Sequence, residues 1–410
     1  MICVHEIVQL IREHTNNIND IQNIHPTLYD YLKEKKFIVP QDLNETETLI
    51  KFFEKEFDND NEISITINPT MNCNLRCWYC YEEHLAHSNM KQETIESIKK
   101  LLSSITRKSN LKSLHLSFFG GEPLLGFKFC VDPLIKYADS LCKEKDIDLT
   151  LGFTSNAVLL SNEVCDKLCE YNRKISFQIP FDGDRQMHNS VKKTFSGKET
   201  YDITLTNLKY ALSKGFTVTV RCNYTRKSAA SFEYLIEDIK DLLTRYRTSM
   251  KVSFQHVWQD EDSSDTDRII ENLENKVIKI GGKYYESAID ASRCYADRKN
   301  SFVINYNGDV FQCTAREFTE QNREGILKED GHIEYNDRYY QRMKSRFSNP
   351  ECLECKIYPI CSICTQKRLE IGNDRCLGAH FKNFKKDKLW SRITALHKLS
   401  QIQNTTKQSK

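Results

Sequence analysis

Two hydrophobic rhythms take turns along the middle of the chain. Short apolar or alternating runs at 63–68, 114–119, 147–153, 175–179, 216–221 and 252–257 predict β-strands. Between them, apolar residues recur every three to four positions: Ile95, Ile98, Leu101, Leu102 and Ile105; then Tyr201, Ile203, Leu205, Leu208 and Leu212; then Phe232, Leu235, Ile236, Ile239 and Leu242. Each set lays one apolar stripe on a helix. Alternating strand and helix predict a parallel sheet, because parallel neighbours need a crossover and a helix commonly supplies it. Six such units predict an α/β fold, a partial (β/α)6 barrel of the TIM-like kind.

The flanks read differently. Residues 1–62 form a polar, mostly helical segment whose Leu28, Leu32 and Phe37 suit a cap over a barrel end or, alternatively, a dock for a partner peptide. The barrel is expected over 63–260. After Trp258 the acidic run 259–267 has no apolar residue, so 261–285 is expected to be a solvated linker. Residues 286–380 hold the remaining cysteine-rich stretch, from Cys294 to Cys376, and are expected to form a second domain. The tail 381–410 is basic and helix-compatible (Lys382, Lys385, Lys386, Lys388, Arg392, Lys398), a solvated face whose last ten residues are expected to fray.

Chemically unusual residues fall directly after the strands. Cys73, Cys77 and Cys80 follow the first, Gly120-Gly121-Glu122-Pro123 the second, Ser155-Asn156 the third and Asp182-Gly183 the fourth, while Asn223 closes the fifth. In parallel barrels the loops at the C-terminal strand ends gather at one mouth, where chemistry is done. Five separate signals thus point at one site.

Composition narrows the setting. A chain of 410 residues with 39% hydrophobic content can bury a sizeable core and predicts more than one domain. No apolar run approaches the ~20 residues of a membrane span. The first residues lack the charged region and apolar core of a secretory signal, so a cytoplasmic location is expected. A net charge of +2 gives no steering toward nucleic acid or anionic membrane. Sixteen cysteines in a reducing compartment point to metal ligation rather than disulfides.

The stretch from Asn68 to Tyr81, NPTMNCNLRCWYCY, offers three soft thiolates at x3 and x2 spacing, with no further cysteine until Cys130. Such donors suit zinc completed from elsewhere, or an iron-sulfur cluster. A cubane held by three cysteines leaves one iron free for an outside ligand.

This spacing, with Tyr79 before the third cysteine and Gly120-Gly121-Glu122-Pro123 after the next strand, resembles the radical SAM superfamily over residues 63–260. The resemblance implies a [4Fe-4S] cluster on Cys73, Cys77 and Cys80 whose open iron is chelated by S-adenosylmethionine. One-electron reduction would cleave the sulfonium and yield a radical that abstracts substrate hydrogen. The carbonyls of Gly120 and Gly121 and the carboxylate of Glu122 are expected to accept from the ammonium group. Tyr79 is expected near adenine through its backbone, and Ser155, Asn156 and Arg221 near the methionine carboxylate or ribose. Asp182-Gly183 resembles the family's ending of the fourth strand, which implies a place for Asp182 at the cofactor, although Pro180 stands where that pattern has serine.

Downstream, Asn307-Gly308 between two alternating runs predicts a β-hairpin flanked by Cys294 and Cys313. Then come Cys352-x2-Cys355-x5-Cys361-x2-Cys364 and Cys376; two C-x-x-C units alone would also suit zinc. The full order resembles the SPASM domain of radical SAM maturases, including its Gly-x4-Cys hairpin (Gly308 to Cys313), with x2 before Cys364 where x3 is commoner. That resemblance implies two auxiliary iron-sulfur clusters. Cys352, Cys355, Cys361 and Cys376 would close one. Cys294, Cys313 and Cys364 would leave the other with an open iron for a substrate thiolate, unless a non-cysteine ligand or one of Cys3, Cys130, Cys142, Cys165, Cys169 and Cys222 completes it.

The expected activity is that of a radical SAM oxidoreductase that matures a ribosomally made precursor peptide by a thioether or carbon-carbon crosslink, with an electron donor of flavodoxin or ferredoxin type. The alternatives are formylglycine formation on a sulfatase or another protein-modifying oxidation, and, outside enzymes, a zinc-dependent binding module. No catalytic acid or base can be named from spacing.

Overall fold

The computed structural model describes residues 4–14, 16–261, 263–284, 294–361, 364–372, 376, 378 and 383–408; Cys3 and the first residues of the expected second domain lie outside them. Contacts divide the chain into two units, Met1–Phe53 and Glu54–Lys410. The first is helical, as expected: α1 (Val4–Glu13), α2 (Asp20–Ile24), α3 (Pro26–Glu34) and α4 (Glu45–Phe57), the last running on into the second unit. Pro26 opens α3, where its missing N–H costs nothing, and His25 Nδ1 caps it by accepting from Leu28 N–H at 3.1 Å. Leu28 and Leu32 are half-buried and Phe37 is exposed.

In the second unit all six predicted strands form: β1 (Glu62–Ile67), then α5 (Gln92–Thr106), β2 (Ser113–Phe118), α6 (Asp132–Lys145), β3 (Asp148–Thr154), α7 (Asn162–Cys169), β4 (Lys174–Phe181), α8 (Arg185–Val191), α9 (Tyr201–Ser213), β5 (Thr217–Tyr224), α10 (Phe232–Arg245) and β6 (Met250–His256). They pair in parallel in chain order. Alternation along each strand sorts the two faces. Ile63, Ile65 and Ile67, Leu114 and Leu116, Leu149 and Leu151, and Val218 and Val220 are buried in the main core. At least about 1.5 kcal/mol per such side chain favours this arrangement over an exposed one. The intervening Ser64, Thr66, His115, Ser117, Ser176, Gln178 and Thr219 line the lumen. The barrel is therefore hollow and polar inside, unlike the packed interior of an ordinary eight-stranded barrel.

The acidic segment after β6 departs from expectation. Residues 264–280 are not a linker but a helix, α11 (Ser264–Ile280), with Ile270, Leu273 and Val277 buried at helical spacing. Asp265 and Asp267 stand in its first turn, where the helix dipole favours negative charge, so a run that looks like solvated loop is a helix start.

Among the described residues the cysteine-rich region builds no sheet of its own. Its hairpin, β7 (Ser301–Ile304) and β8 (Asp309–Phe311), is the one predicted around Asn307-Gly308, with Gly308 at φ +86°. β7 pairs in parallel with β1, and β9 (Gly325–Leu327) and β10 (Ile333–Tyr335) continue outward, giving one ten-stranded sheet in the order β10-β9-β8-β7-β1-β2-β3-β4-β5-β6. Three short helices follow: α12 (Asp337–Ser345), α13 (Pro350–Leu353) and α14 (Thr365–Ile371). The tail forms α15 (Phe384–Gln408), helical through most of the stretch expected to fray. Among the described residues no helix is long and apolar enough to cross a membrane.

Candidate active site

The loop after β1 is fixed by its neighbour after β2. Gly121 N–H donates to Thr70 O at 3.0 Å and Glu122 N–H to Asn72 O at 2.9 Å. A Cβ on Gly121 would stand 2.1 Å from Asn72 O, and one on Gly120, whose φ is +103°, 2.5 Å from Thr70 O. The two glycines are thus required by close approach of the cysteine loop itself. Cys73, Cys77, Cys80, Gly120 and Gly121 all line a cavity of about 820 Å³ at the strand ends, together with Ser155, Asn156, Tyr79 and Arg221.

Glu122 plays a different part from the one expected. It is fully buried, and its carboxylate accepts from Ser155 Oγ at 2.8 Å, Asn156 N–H at 2.9 Å and Leu124 N–H at 3.1 Å. Burial pushes its carboxyl up to about 7 against those three donors. Both oxygens are committed to the protein, so Glu122 joins the β3 loop to the Gly-Gly loop instead of facing the cavity. Asn156 passes the link on by donating to Asn74 Oδ1 at 2.8 Å, inside the cysteine loop.

Asp182, also expected at the cofactor, does not line the cavity either. Tyr79 Oη donates to Asp182 Oδ1 at 2.5 Å and accepts from Asn223 Nδ2 at 3.0 Å and Lys192 Nζ at 3.2 Å. One phenol between two of the cysteines is thereby clasped by β4, β5 and the segment after α8. Its backbone carbonyl accepts from Gln259 Nε2 at 2.8 Å. Arg221 stays in the lumen wall, oriented by Nε donating to Asn223 Oδ1 at 2.9 Å.

Lys192 is the site residue that the sequence hid. Its ammonium lies 3.2 Å from Asp182 Oδ2 and 3.5 Å from Cys77 Sγ. Burial works against its charge, yet the Asp182 carboxylate, with Cys77 and Tyr79, holds it well above the ordinary lysine range. In the sequence it is one of two adjacent lysines in a polar stretch, and no local pattern separates it from a solvated pair. Glu82, beside Tyr81 in the cavity wall, was also missed; burial, then the Glu317 charge, pushes its carboxyl up to about 9.

The thiols gather in three groups. Burial, with Glu122 and the neighbouring Cys77 and Cys80 adding, pushes the Cys73 thiol up to about 12. Desolvation raises Cys294 and Cys313, and Cys364 adds to the rise at both. Cys352 is raised by burial and by Cys361, Cys376 and Cys355, and is drawn back down by Arg368. Cys352, Cys355, Cys361 and Cys376 share a second cavity of about 460 Å³. Thiolates crowded like this would repel one another without a cation between them, and a metal centre deprotonates coordinating thiols outright. Among the described residues no three such side chains are drawn together tightly enough to hold a single ion. The other described cysteines belong to the core: Cys130, Cys142, Cys165 and Cys222 are buried among apolar side chains, and Cys169 packs against that cluster.

Fold and thiol loop together define a class. Residues 67–239 match the family model of the Radical SAM superfamily, and the chain carries a radical SAM domain. That domain marks the chain as an enzyme, and its superfamily implies a [4Fe-4S] cluster and S-adenosylmethionine. Among its relatives, the radical SAM cyclopropyl synthase TigE of Paramaledivibacter caminithermalis is 24% identical over 390 residues, covering 85% of this chain and 76% of that protein. Native anSMEcpe with bound AdoMet and Cp18Cys peptide superposes with a TM-score of 0.61 at 18% identity, over 85% of this chain and 100% of that one. Streptococcus suis SuiB bound to precursor peptide SuiA gives 0.52 at 16% identity, over 86% of each chain. At these identities the structural likeness establishes the fold alone.

Proposed function

We propose that this enzyme matures a ribosomally made precursor peptide, closing a thioether or carbon-carbon crosslink. One observation carries the reading. The cavity at the barrel mouth is lined both by Cys73, Cys77 and Cys80 and by Tyr295, Thr314 and Ala315, which immediately follow Cys294 and Cys313. A substrate seated there touches the surroundings of two thiol groups at once. About 820 Å³ lies well within the range of small-molecule sites and leaves room beyond a nucleoside-sized cofactor for a peptide side chain. Two structural neighbours hold peptides, and the cyclopropyl activity of TigE is a carbon-carbon bond formation, which favours that branch.

In this reading Cys73, Cys77 and Cys80 hold the [4Fe-4S] cluster, and S-adenosylmethionine occupies the space beside Gly120, Gly121, Ser155, Asn156 and Arg221. Bound together, these groups supply one-electron cleavage of the sulfonium and hydrogen abstraction from carbon. The protein's part is placement. Gly120 and Gly121 keep the cysteine loop against β2, Glu122 and Asn156 lock it to β3, and Tyr79 locks it to β4 and β5. Lys192, paired with Asp182, sets a buried cation 3.5 Å from Cys77 Sγ. Trp258 stacks on Tyr81 in the cavity wall, with ring centroids 5.7 Å apart. Cys294, Cys313 and Cys364 are read as ligands of one auxiliary cluster, open at one iron, and Cys352, Cys355, Cys361 and Cys376 as ligands of another, in a SPASM arrangement. An external flavodoxin- or ferredoxin-type donor is the electron source. Formylglycine formation is not favoured over peptide crosslinking by any of these features.

Anaerobic reconstitution tests this. The protein should bind roughly twelve irons as three cubanes, release 5′-deoxyadenosine with dithionite and S-adenosylmethionine, and remove a pair of hydrogens from its peptide, read by mass spectrometry. Zinc in place of iron, or 5′-deoxyadenosine release unaffected by Cys77→Ala, would refute it.

A further inference from the structure

Helix α14 stands between the two C-terminal thiol groups and touches both. Cys364, its N-cap residue, belongs with Cys294 and Cys313. Four residues on, Arg368 Nη2 donates to Cys352 Sγ, in the other group, at 3.2 Å. Arg368 is only 2% exposed. A buried guanidinium ordinarily needs a carboxylate. The neighbouring buried arginine, Arg342, has one: Glu324 clasps it through Nε at 2.8 Å and Nη2 at 2.7 Å. Among the described residues Arg368 has no carboxylate within ion-pair distance, and the partner its guanidinium has found is a cysteine sulfur.

The helix holds Arg368 in place from both sides. Gln366 accepts from Arg342, and Glu370 accepts from Arg316 at 2.8 Å. These contacts, on alternate residues, fix the helix so that Arg368 points at Cys352. Among the described residues, a permanent cation is thus buried against one thiol of a four-thiol set with no carboxylate beside it.

We propose that Arg368 is the built-in counter-charge of an iron-sulfur cluster held by Cys352, Cys355, Cys361 and Cys376, and that it raises the reduction potential of that cluster above that of the same thiolate set alone. The proposal rests on reading those four cysteines as cluster ligands. Four thiolates make a cluster strongly anionic, and taking up one more electron adds to that charge. A cation beside a ligand sulfur, away from water, stabilises the reduced form more than the oxidised one. Arginine suits the task because it stays charged at any working pH. Charge and hydrogen bonds to sulfur are among the levers that set such potentials. Arg342 and Arg316 draw down Cys313 in the other group, but each of those cations is paired with a carboxylate, Glu324 and Glu370.

The test is an EPR-monitored potentiometric titration of the reconstituted full-length holoenzyme, with iron counted, in wild type, Arg368→Gln and Arg368→Lys. In Arg368→Gln one of three midpoints should fall by an equilibrium change of about tenfold or more, ~59 mV for one electron, while the other two stay in place. Arg368→Lys should remain close to wild type. A full iron count with no midpoint moved in Arg368→Gln overturns the proposal, as does an equal fall in both variants. If Arg368→Gln cannot retain the cluster, Arg368→Lys decides: a wild-type midpoint supports the role of charge and a lowered one refutes it. Iron for a single cluster in the wild type would sink the ligand reading beneath the proposal, and the proposal with it.

Discussion

At the barrel mouth the cysteine loop is held by main-chain hydrogen bonds to Gly121 and Glu122, by the Glu122 carboxylate and Asn156, which together link three loops, and by a phenol clasped from two further strands. At the C-terminal end, Cys352 lies on the four-residue α13, and Cys364 just ahead of the seven-residue α14. Helices that short are not stable on their own. Their supports are the buried Arg342–Glu324 pair, the Asn349 side chain capping Cys352 N–H at 2.9 Å, and whatever the thiols bind. One site is built by the fold and then accepts its metal. At the other, the clusters proposed above would supply part of the folding energy.

The widest gap between the two regions should open when metal ligation is lost. Cys77→Ala should abolish 5′-deoxyadenosine release yet leave hydrogen-exchange protection in β1 to β6 intact. Cys352→Ala, or anaerobic chelation, should strip protection from α12 to α14. Loss of protection in the barrel strands after Cys77→Ala would break the contrast. Next in size, Arg342→Leu should cost about 3–5 kcal/mol by stranding the buried Glu324, read from urea unfolding of the C-terminal region. Adding Glu324→Leu should recover most of it, and a double variant as unstable as the single one would show that packing, not charge, is what matters there.

The barrel has a pH signature of its own. Glu122 is raised from 4.5 to about 7, so folding favours its protonated form. That contribution, about 3 kcal/mol, is complete below the unfolded value of 4.5 and is lost as pH rises through about 7. Glu122→Gln, neutral throughout, should flatten this dependence, so the difference in unfolding free energy between it and wild type should change between pH 5 and pH 8; a constant difference would contradict the shift. Smallest of all, Tyr79→Phe removes the clasping hydroxyl and should cost about 1–2 kcal/mol. Its effect on coupling 5′-deoxyadenosine release to product should exceed its effect on stability.

Much of this was legible in the sequence, and the rest failed for identifiable reasons. The six strands were readable because alternation in a barrel wall is enforced on both faces: Leu114 and Leu116 meet helices while His115 and Ser117 meet the lumen. The site was readable where rare residues follow strands. Glu122 was assigned to the cofactor because a motif names a residue without saying which way its carboxylate turns. Lys192 and Glu82 were missed because burial of a single charge is decided by elements far away in the chain. The α11 segment was misjudged because acidic residues that favour a helix start also favour a solvated loop. The union of the C-terminal strands with the barrel sheet has no local signal at all.

That union constrains the order in which the molecule can be finished. β1 is the first strand made, and it carries the cysteine loop at its end, but one of its two neighbours is β7, about 230 residues downstream. At ribosomal speeds of roughly 5–20 residues per second, one edge of β1 waits for tens of seconds. An open strand edge invites wrong partners. The nascent barrel can assemble β1 to β6 early, but its first strand is closed only when Ser301–Ile304 arrives, so a ribosome that stalls before that point would release a chain with a nearly complete site and an unsealed seam.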